Sequence, residues 1–369
     1  MPPRTSQIAA LLALALVAGP IVAQETPSVS SAVSRAVSYL DSAQDDEGAF
    51  SPHVGPAVTA LVATGLIRHG RTPDDPMVGD ALAYVEGFIQ PDGGVYAPDS
   101  MYRNYETCIA IQCFRTAADA DGATKDYAEV LSRAEAFVKG IQWDEEEGHD
   151  RSSTSYGGAG YGRHGRPDLS NTSYLIDALH SLGRGPEDPA IQRALAFVSR
   201  SQNLETEHNT TPFATLSPDG GFYYTPAAGG SSQAGETLTG GLRSYGSMTY
   251  AGLKSMIYAG VGKDDPRVKA AFAWIQANYS LSENPGMGTS GLFYYYHTFA
   301  KALDAIGEGA VVDSDGESHD WRAELVTTLT AAQGADGSWI NSNDRWLESD
   351  PNLSTAYALL ALSYCTDAR

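Results

Sequence analysis

The chain has 369 residues, with 24 lysines and arginines against 45 aspartates and glutamates, for a net charge of −21 at neutral pH. So acidic a protein is a poor partner for nucleic acid or for an anionic membrane surface, and no nucleic-acid partner is expected. Its three cysteines, Cys108, Cys113 and Cys365, offer neither a disulfide framework nor a zinc-type Cys/His spacing; Cys108 and Cys113 lie five apart on one predicted helix and point in different directions.

At the N-terminus Arg4 is followed by an apolar run from Ile8 to Val17, then Gly19-Pro20 and a small residue at Ala23. That pattern predicts an export signal over residues 1–23, a linker over 24–30, and a periplasmic or extracellular location. No later segment is apolar enough to cross a bilayer, so stable membrane insertion is not expected.

From residue 31 to 369 the sequence returns repeatedly to one module. A first helix ends at a Gln, an Asp-Gly turn with an aromatic follows, and a second, more apolar helix comes next. The turns read Gln44-Asp45-Asp46-Glu47-Gly48-Ala49-Phe50, then Gln90-Pro91-Asp92-Gly93-Gly94-Val95-Tyr96, and Gln333-Gly334-Ala335-Asp336-Gly337-Ser338-Trp339. Gln202 precedes a more widely spaced copy at Asp219-Gly220-Gly221-Phe222, and degenerate copies start at Gln142 and Gln276. First helices are predicted at Ala32–Leu40, Gly79–Ile89, Tyr127–Ile141, Pro189–Ser201, Pro266–Tyr279 and Trp321–Ala332, each with apolar residues at three- and four-residue steps. Asp-Pro pairs at 75–76, 188–189 and 265–266 suit helix starts, Asp as cap and Pro in the first turn. Second helices are predicted at Ala57–Ala63, Thr107–Phe114, Ser173–Leu182, Met248–Ala259, Thr298–Ile306 and Thr355–Tyr364. Gly65, Gly183, Gly260 and Gly307 are the expected left-handed stops for four of them. Helices apolar all round belong inside and amphipathic ones outside. Six such pairs form an all-α, double-walled α/α toroid, or alternatively an open superhelix; closure is favoured because neither end of the array carries a polar capping repeat.

The Gln…Asp-Gly-Gly-aromatic repeat resembles that of the terpenoid cyclases and protein prenyltransferase β-subunits, the prenyltransferase/squalene cyclase repeat family, over nearly the whole chain after residue 30. The resemblance implies a toroid in which Gln44, Gln90, Gln333, Phe50, Tyr96 and Trp339 tie outer helices together. His297-Thr298 resembles the segment that supplies the prenyltransferases' zinc-binding His, but Ser244-Tyr245-Gly246-Ser247-Met248 lacks the Asp and Cys that would complete that site. No metal and no cofactor are therefore expected. The Asp-x-Asp-Asp acid of the squalene-type cyclases is missing too: Asp119-Ala120-Asp121-Gly122 and Asp313-Ser314-Asp315-Gly316 both lack the last Asp.

In a ring of helical hairpins the inner helices run parallel and their N-termini open onto one face, which favours anions. Arg103, Arg163, Arg166, Arg243 and His297 sit in the segments leading into those helices and could hold a carboxylate, sulfate or diphosphate with tyrosine hydroxyls; alternatively each Arg pairs with an acidic neighbour on the rim. Counting back six residues from the terminal glycines aligns Thr59, Asp177, Lys254 and Lys301. These form either an acid–base cluster or a structural ion-pair network. Residues 225–240, rich in Gly, Ala, Ser and Thr, form either a lid or a plain insertion.

The expected ligand is a small molecule or a glycan. Catalytic candidates are His297, Tyr296, Tyr245, Asp177, Lys254 and Lys301; ligand-binding candidates are Arg103, Arg163 and Arg243. Three functions compete: an enzyme or binder of an isoprenoid or lipid-like ligand, a polysaccharide-active lyase or hydrolase, and a non-catalytic scaffold.

Overall fold

The computed structural model describes residues 28–366 except 163 and 164. The expected export signal and Arg163 lie outside the described residues. Helix α1 (Val29–Ala43) starts on the Ser28 cap, so the last residues of the expected linker are helical. The helices alternate between two walls. The outer wall contains α1, α3 (Pro76–Glu86), α5 (Ala128–Lys139), α7 (Pro189–Arg200), α9 (Pro266–Ala277) and α11 (Trp321–Ala332). The inner wall contains α2 (Ala57–Arg68), α4 (Arg103–Asp119), α6 (Leu169–Ser181), α8 (Gly246–Tyr258), α10 (Leu292–Ile306) and α12 (Pro351–Ser363). A two-residue antiparallel pair, β1 (Val311–Val312) with β2 (Ser318–His319), lies between α10 and α11.

Composition decides which wall a helix joins. In α6 every residue from Leu169 to Leu179 is buried, whereas α1 buries only Ala32, Ala36 and Leu40. Asp75, Asp188, Asp265 and Asp350 cap α3, α7, α9 and α12 by accepting first-turn N–H groups, each with a Pro in the first turn. Each inner helix packs on the next, and α12 packs on α2, so the ring is closed.

The repeat glutamines fasten the outer wall. The Gln44 amide donates to its own turn at Gly48 O and to Met77 O in the first turn of α3. Gln142 does the same to Gly157 O and Ala190 O, and Gln202 to Gly220 O and Arg267 O. Gln333 donates to Gly337 O and, at 2.9 Å, to Ala32 O, joining the last outer helix to the first. Gln90 departs from the pattern: it bonds Phe88 O and Tyr96 O within its own turn. The turn glycines are needed because the next outer helix runs against them. At Gly157 (φ 81°) an added Cβ would lie 1.8 Å from Arg193 O.

Every well-formed module carries a threonine that the sequence patterns did not bring out. The backbone N–H groups of Phe50, Val95, Ala159, Phe222 and Trp339 donate to the hydroxyls of Thr59, Thr107, Thr172, Thr249 and Thr355. Each bond pins a repeat turn to the inner helix that follows, at about 1 kcal/mol.

This register corrects one expectation. Helix α2 does not stop at Gly65 but runs through it to Arg68, and the left-handed residue beyond is Gly70 (φ 91°). Gly65 marks the contact where the ring closes, since a Cβ there would come 3.1 Å from Leu359 Cβ on α12. Gly183, Gly260 and Gly307 are left-handed as expected, at φ 76°, 84° and 72°. Thr59 therefore belongs to the turn-pinning series, and Thr64 is the α2 residue level with Asp177.

Candidate functional site at the mouth of the inner ring

The inner helices begin around a cavity of about 670 Å³. Its first layer is set by one position on each helix: Ala57, Tyr105, Ser170, Ser247, Tyr294 and Leu353 all line it. Seven residues further on, the same faces carry Thr64, Gln112, Asp177, Lys254, Lys301 and Leu360, about 10 Å deeper along the axis.

Eight tyrosines line the cavity. Tyr105 and Tyr174 meet edge-on at 5.0 Å between ring centroids, and Tyr174 stacks over Tyr294 at 6.3 Å. The Tyr174 and Tyr357 hydroxyls lie 3.4 Å apart, as do those of Tyr161 and Tyr224 at 3.3 Å. Val58, Leu61, Ile109 and Met248 supply apolar wall between them. Burial pushes the Tyr294 and Tyr357 phenols up, the latter to about 12, so these hydroxyls stay protonated.

Three buried carboxylates border this space. Glu106 accepts from Ala97 N (2.8 Å) and Ser100 Oγ (2.6 Å); burial raises its pKa against those bonds and the nearby Arg103 charge. Glu348 accepts the Phe293 and Tyr294 N–H groups at the start of α10, and its pKa is raised by burial. Asp168 caps α6 by accepting from Asn171 N and Asn171 Nδ2, both at 2.8 Å. Burial pushes its carboxyl up to about 6, opposed by Asn171, by the Tyr224 hydroxyl and by the Arg166 charge. Asp168 does not itself line the cavity. Tyr224 does, and its backbone carbonyl accepts the N–H of Leu169, the residue after Asp168, at 2.8 Å.

The deeper layer is ionic. Lys254 Nζ lies 2.6 Å from both Asp177 oxygens; Lys301 Nζ lies 2.7 Å from Asp177 Oδ2 and 3.1 Å from Gln112 Oε1. The last contact joins α10 to α4 across the ring. Burial works against the Asp177 charge, but the two lysines outweigh it and hold the carboxyl at about 2. Burial lowers Lys254 to about 8 in spite of Asp177.

The sequence candidates thus fall into separate places. Asp177, Lys254 and Lys301 come together, below the cavity. His297 lies between the two layers, its ring 5.9 Å from that of Tyr357; burial and the Lys301, Lys254 and Arg68 charges push its pKa well down. Tyr245 lines the cavity, whereas the Tyr296 hydroxyl donates to Leu281 O away from it. Arg103 is exposed, bonded to Ser100 O with its guanidinium over the Tyr96 ring, and Arg243 is exposed and bonded to Glu236 O. Neither arginine lines the cavity. Within the 225–240 stretch, Gln233 reaches the cavity edge and accepts a hydrogen bond from Arg345 at 2.7 Å. Sequence reasoning missed Asp168, Glu348 and Gln112. The Asp168 cap followed three residues later by Asn171 was the one local signal for the first of these.

The architecture is that of an α/α toroid. Among solved structures it is similar to a variant of the type II terpene cyclase MstE from Scytonema in complex with geranylgeranyl dihydroxybenzoate (13% identity, 91% of this chain and 97% of that one, TM-score 0.51). It is also similar to a wild-type glycosidase (13%, 91% and 97%, 0.51) and to a polysaccharide lyase (12%, 91% and 96%, 0.52). At such identities the likeness establishes the fold alone. No family model matches the chain, and no curated protein matches it.

Proposed function

We propose that this is an exported α/α toroid that binds and transforms an isoprenoid-like or lipid-like small molecule in its central cavity. The observation that carries the reading is the cavity lining: tyrosine rings and aliphatic side chains surround a space of about 670 Å³, within the usual size range for small-molecule sites. On this reading Tyr224, a phenol on the cavity wall that burial keeps protonated, is the proton donor that touches the ligand. The polar layer of Asp177, Lys254 and Lys301 closes the axis beneath, so the ligand enters and leaves by the mouth.

The phenol hydroxyls, together with Glu106 and Glu348 on α4 and at the start of α10, favour a second reading. On it the ligand is a neutral oligosaccharide stacked on the tyrosines, and the activity is that of a glycan-active enzyme. Native mass spectrometry of protein purified from its own host, followed by turnover assays with whatever class is retained, separates the two. A retained prenyl or acyl compound that is converted supports the first reading. A retained oligosaccharide replaces it with the second, and a cavity that retains neither and turns over neither class overturns both.

A further inference from the structure

We propose that the tyrosine wall around Asp168 recognises an organic cation, a quaternary or protonated amine, carried by the ligand. The inference rests on the cavity being the ligand site. Its basis is the distribution of charge and aromatic rings around the cavity.

Tyr105, Tyr161, Tyr224 and Tyr245 line the cavity, whereas Asp168 does not; Leu169, the residue after Asp168, donates its N–H to Tyr224 O at 2.8 Å, and Asn104, which bonds the Asp168 partner Asn171, donates its N–H to Tyr161 O at 3.2 Å. Asp168 is buried and has no ion-pair partner within 4 Å among the described residues. The carboxylates Asp99, Glu106 and Glu348 line the same space and oppose the positive N-terminal ends of the inner helices there, and His53 is the one basic side chain among the described residues that line it. The cage already attracts a cation from outside: the exposed Arg166 guanidinium sits 5.9 Å from the Tyr224 ring centroid. Aromatic faces backed by a desolvated carboxylate favour a soft organic cation over a neutral body of the same shape. The aliphatic residues Leu61, Ile109 and Met248 then take the apolar remainder of the molecule.

Binding should depend on pH. A cation favours the ionised form of Asp168, so its affinity rises as pH increases through about 6. Among the described residues the groups facing this carboxylate are Arg166, Asn171 and the four tyrosines, and burial keeps the phenols protonated across that range.

The test is calorimetric titration of the purified protein with benzyltrimethylammonium and with its neutral isostere neopentylbenzene. At pH 7.5 the cation is expected to bind about tenfold tighter or more, with the preference shrinking at pH 5. Asp168→Asn keeps a good helix cap and is expected to lower the cation's affinity while leaving that of the isostere unchanged. Equal affinities of the two probes in the wild type overturn the cation site and leave the cavity as an apolar ligand site. A preference that survives Asp168→Asn intact overturns the role of Asp168. Binding of neither probe overturns the proposal together with the reading of the cavity on which it rests.

Discussion

The two ends of the inner ring carry opposite electrostatics on the same six helices. At the mouth, carboxylates meet helix N-termini: Asp168 caps α6, Asp350 caps α12, and Glu348 accepts N–H groups of α10. Two turns deeper, Lys254 and Lys301 share the single carboxylate of Asp177. Parallel helices add their dipoles, so acids are favoured where the helices start and cations towards where they end. The two lysines lie in the C-terminal halves of α8 and α10, on the side that direction favours. The contrast also separates two buried aspartates that look equivalent in sequence: Asp177 is held ionised by cations, whereas Asp168 is driven towards its neutral form.

That contrast can be broken most forcefully at Asp177. Asp177→Asn leaves two buried ammonium groups without a counter-charge and is expected to destabilise the fold by about 3–5 kcal/mol, read by thermal or denaturant unfolding. Asp168→Asn should do the reverse. A carboxyl with a folded pKa near 6 and an unfolded value near 3.9 holds more protons folded than unfolded between those pH values, so wild-type stability falls across that window. The Asn variant escapes this loss and is expected to match or exceed the wild type at pH 7, by about 1–3 kcal/mol. Destabilisation of both variants by the same amount would dissolve the distinction.

Lys254 sharpens it from the alkaline side. Its folded pKa of about 8 lies below the ordinary value near 10.4, so the unfolded chain binds more protons between the two. Stability is expected to rise from pH 8 to 10 relative to Lys254→Met, by on the order of 1–3 kcal/mol, in denaturant midpoints measured across that range. Smaller still is Tyr224→Phe, which should cost within about 1 kcal/mol of stability while abolishing turnover once the substrate is in hand. Smallest are Arg103→Ala and Arg243→Ala: on exposed side chains at the rim, they are expected to stay within about 0.5 kcal/mol of wild type and to leave ligand binding unchanged.

The sequence made the toroid legible because its signals are local and repeated. Helix α11 spans the predicted Trp321–Ala332, and Asp75, Asp188 and Asp265 cap helices where Asp-Pro pairs predict starts. The inner helices were less legible at their N-terminal ends: α4 starts at Arg103 rather than Thr107, and α10 at Leu292 rather than Thr298. Those first turns hold Tyr105, Glu106 and Tyr294, so much of the cavity wall fell in stretches read as loop. Gly65 shows the matching difficulty at the other end. A glycine can end a helix or admit a neighbouring one, and local sequence does not distinguish the two. The Asp177, Lys254 and Lys301 cluster was reachable by aligning three correct glycines; the Asp168 environment was not, because it is assembled from α4, α6 and the segment around Tyr224, which are far apart in sequence.

The bond from Gln333 to Ala32 and the packing of α12 on α2 give the array the thermodynamics of a loop, not of a line. A linear repeat protein has two terminal units with one neighbour each, and unfolding can begin there by breaking a single interface. In this ring each hairpin has a neighbour on both sides, so losing any one of them breaks two interfaces at once. Cooperativity should therefore extend around the whole circumference, and Gln333→Ala, which removes the α11-to-α1 bond but leaves α12 packed on α2, should weaken that seam first, at α1 and α11.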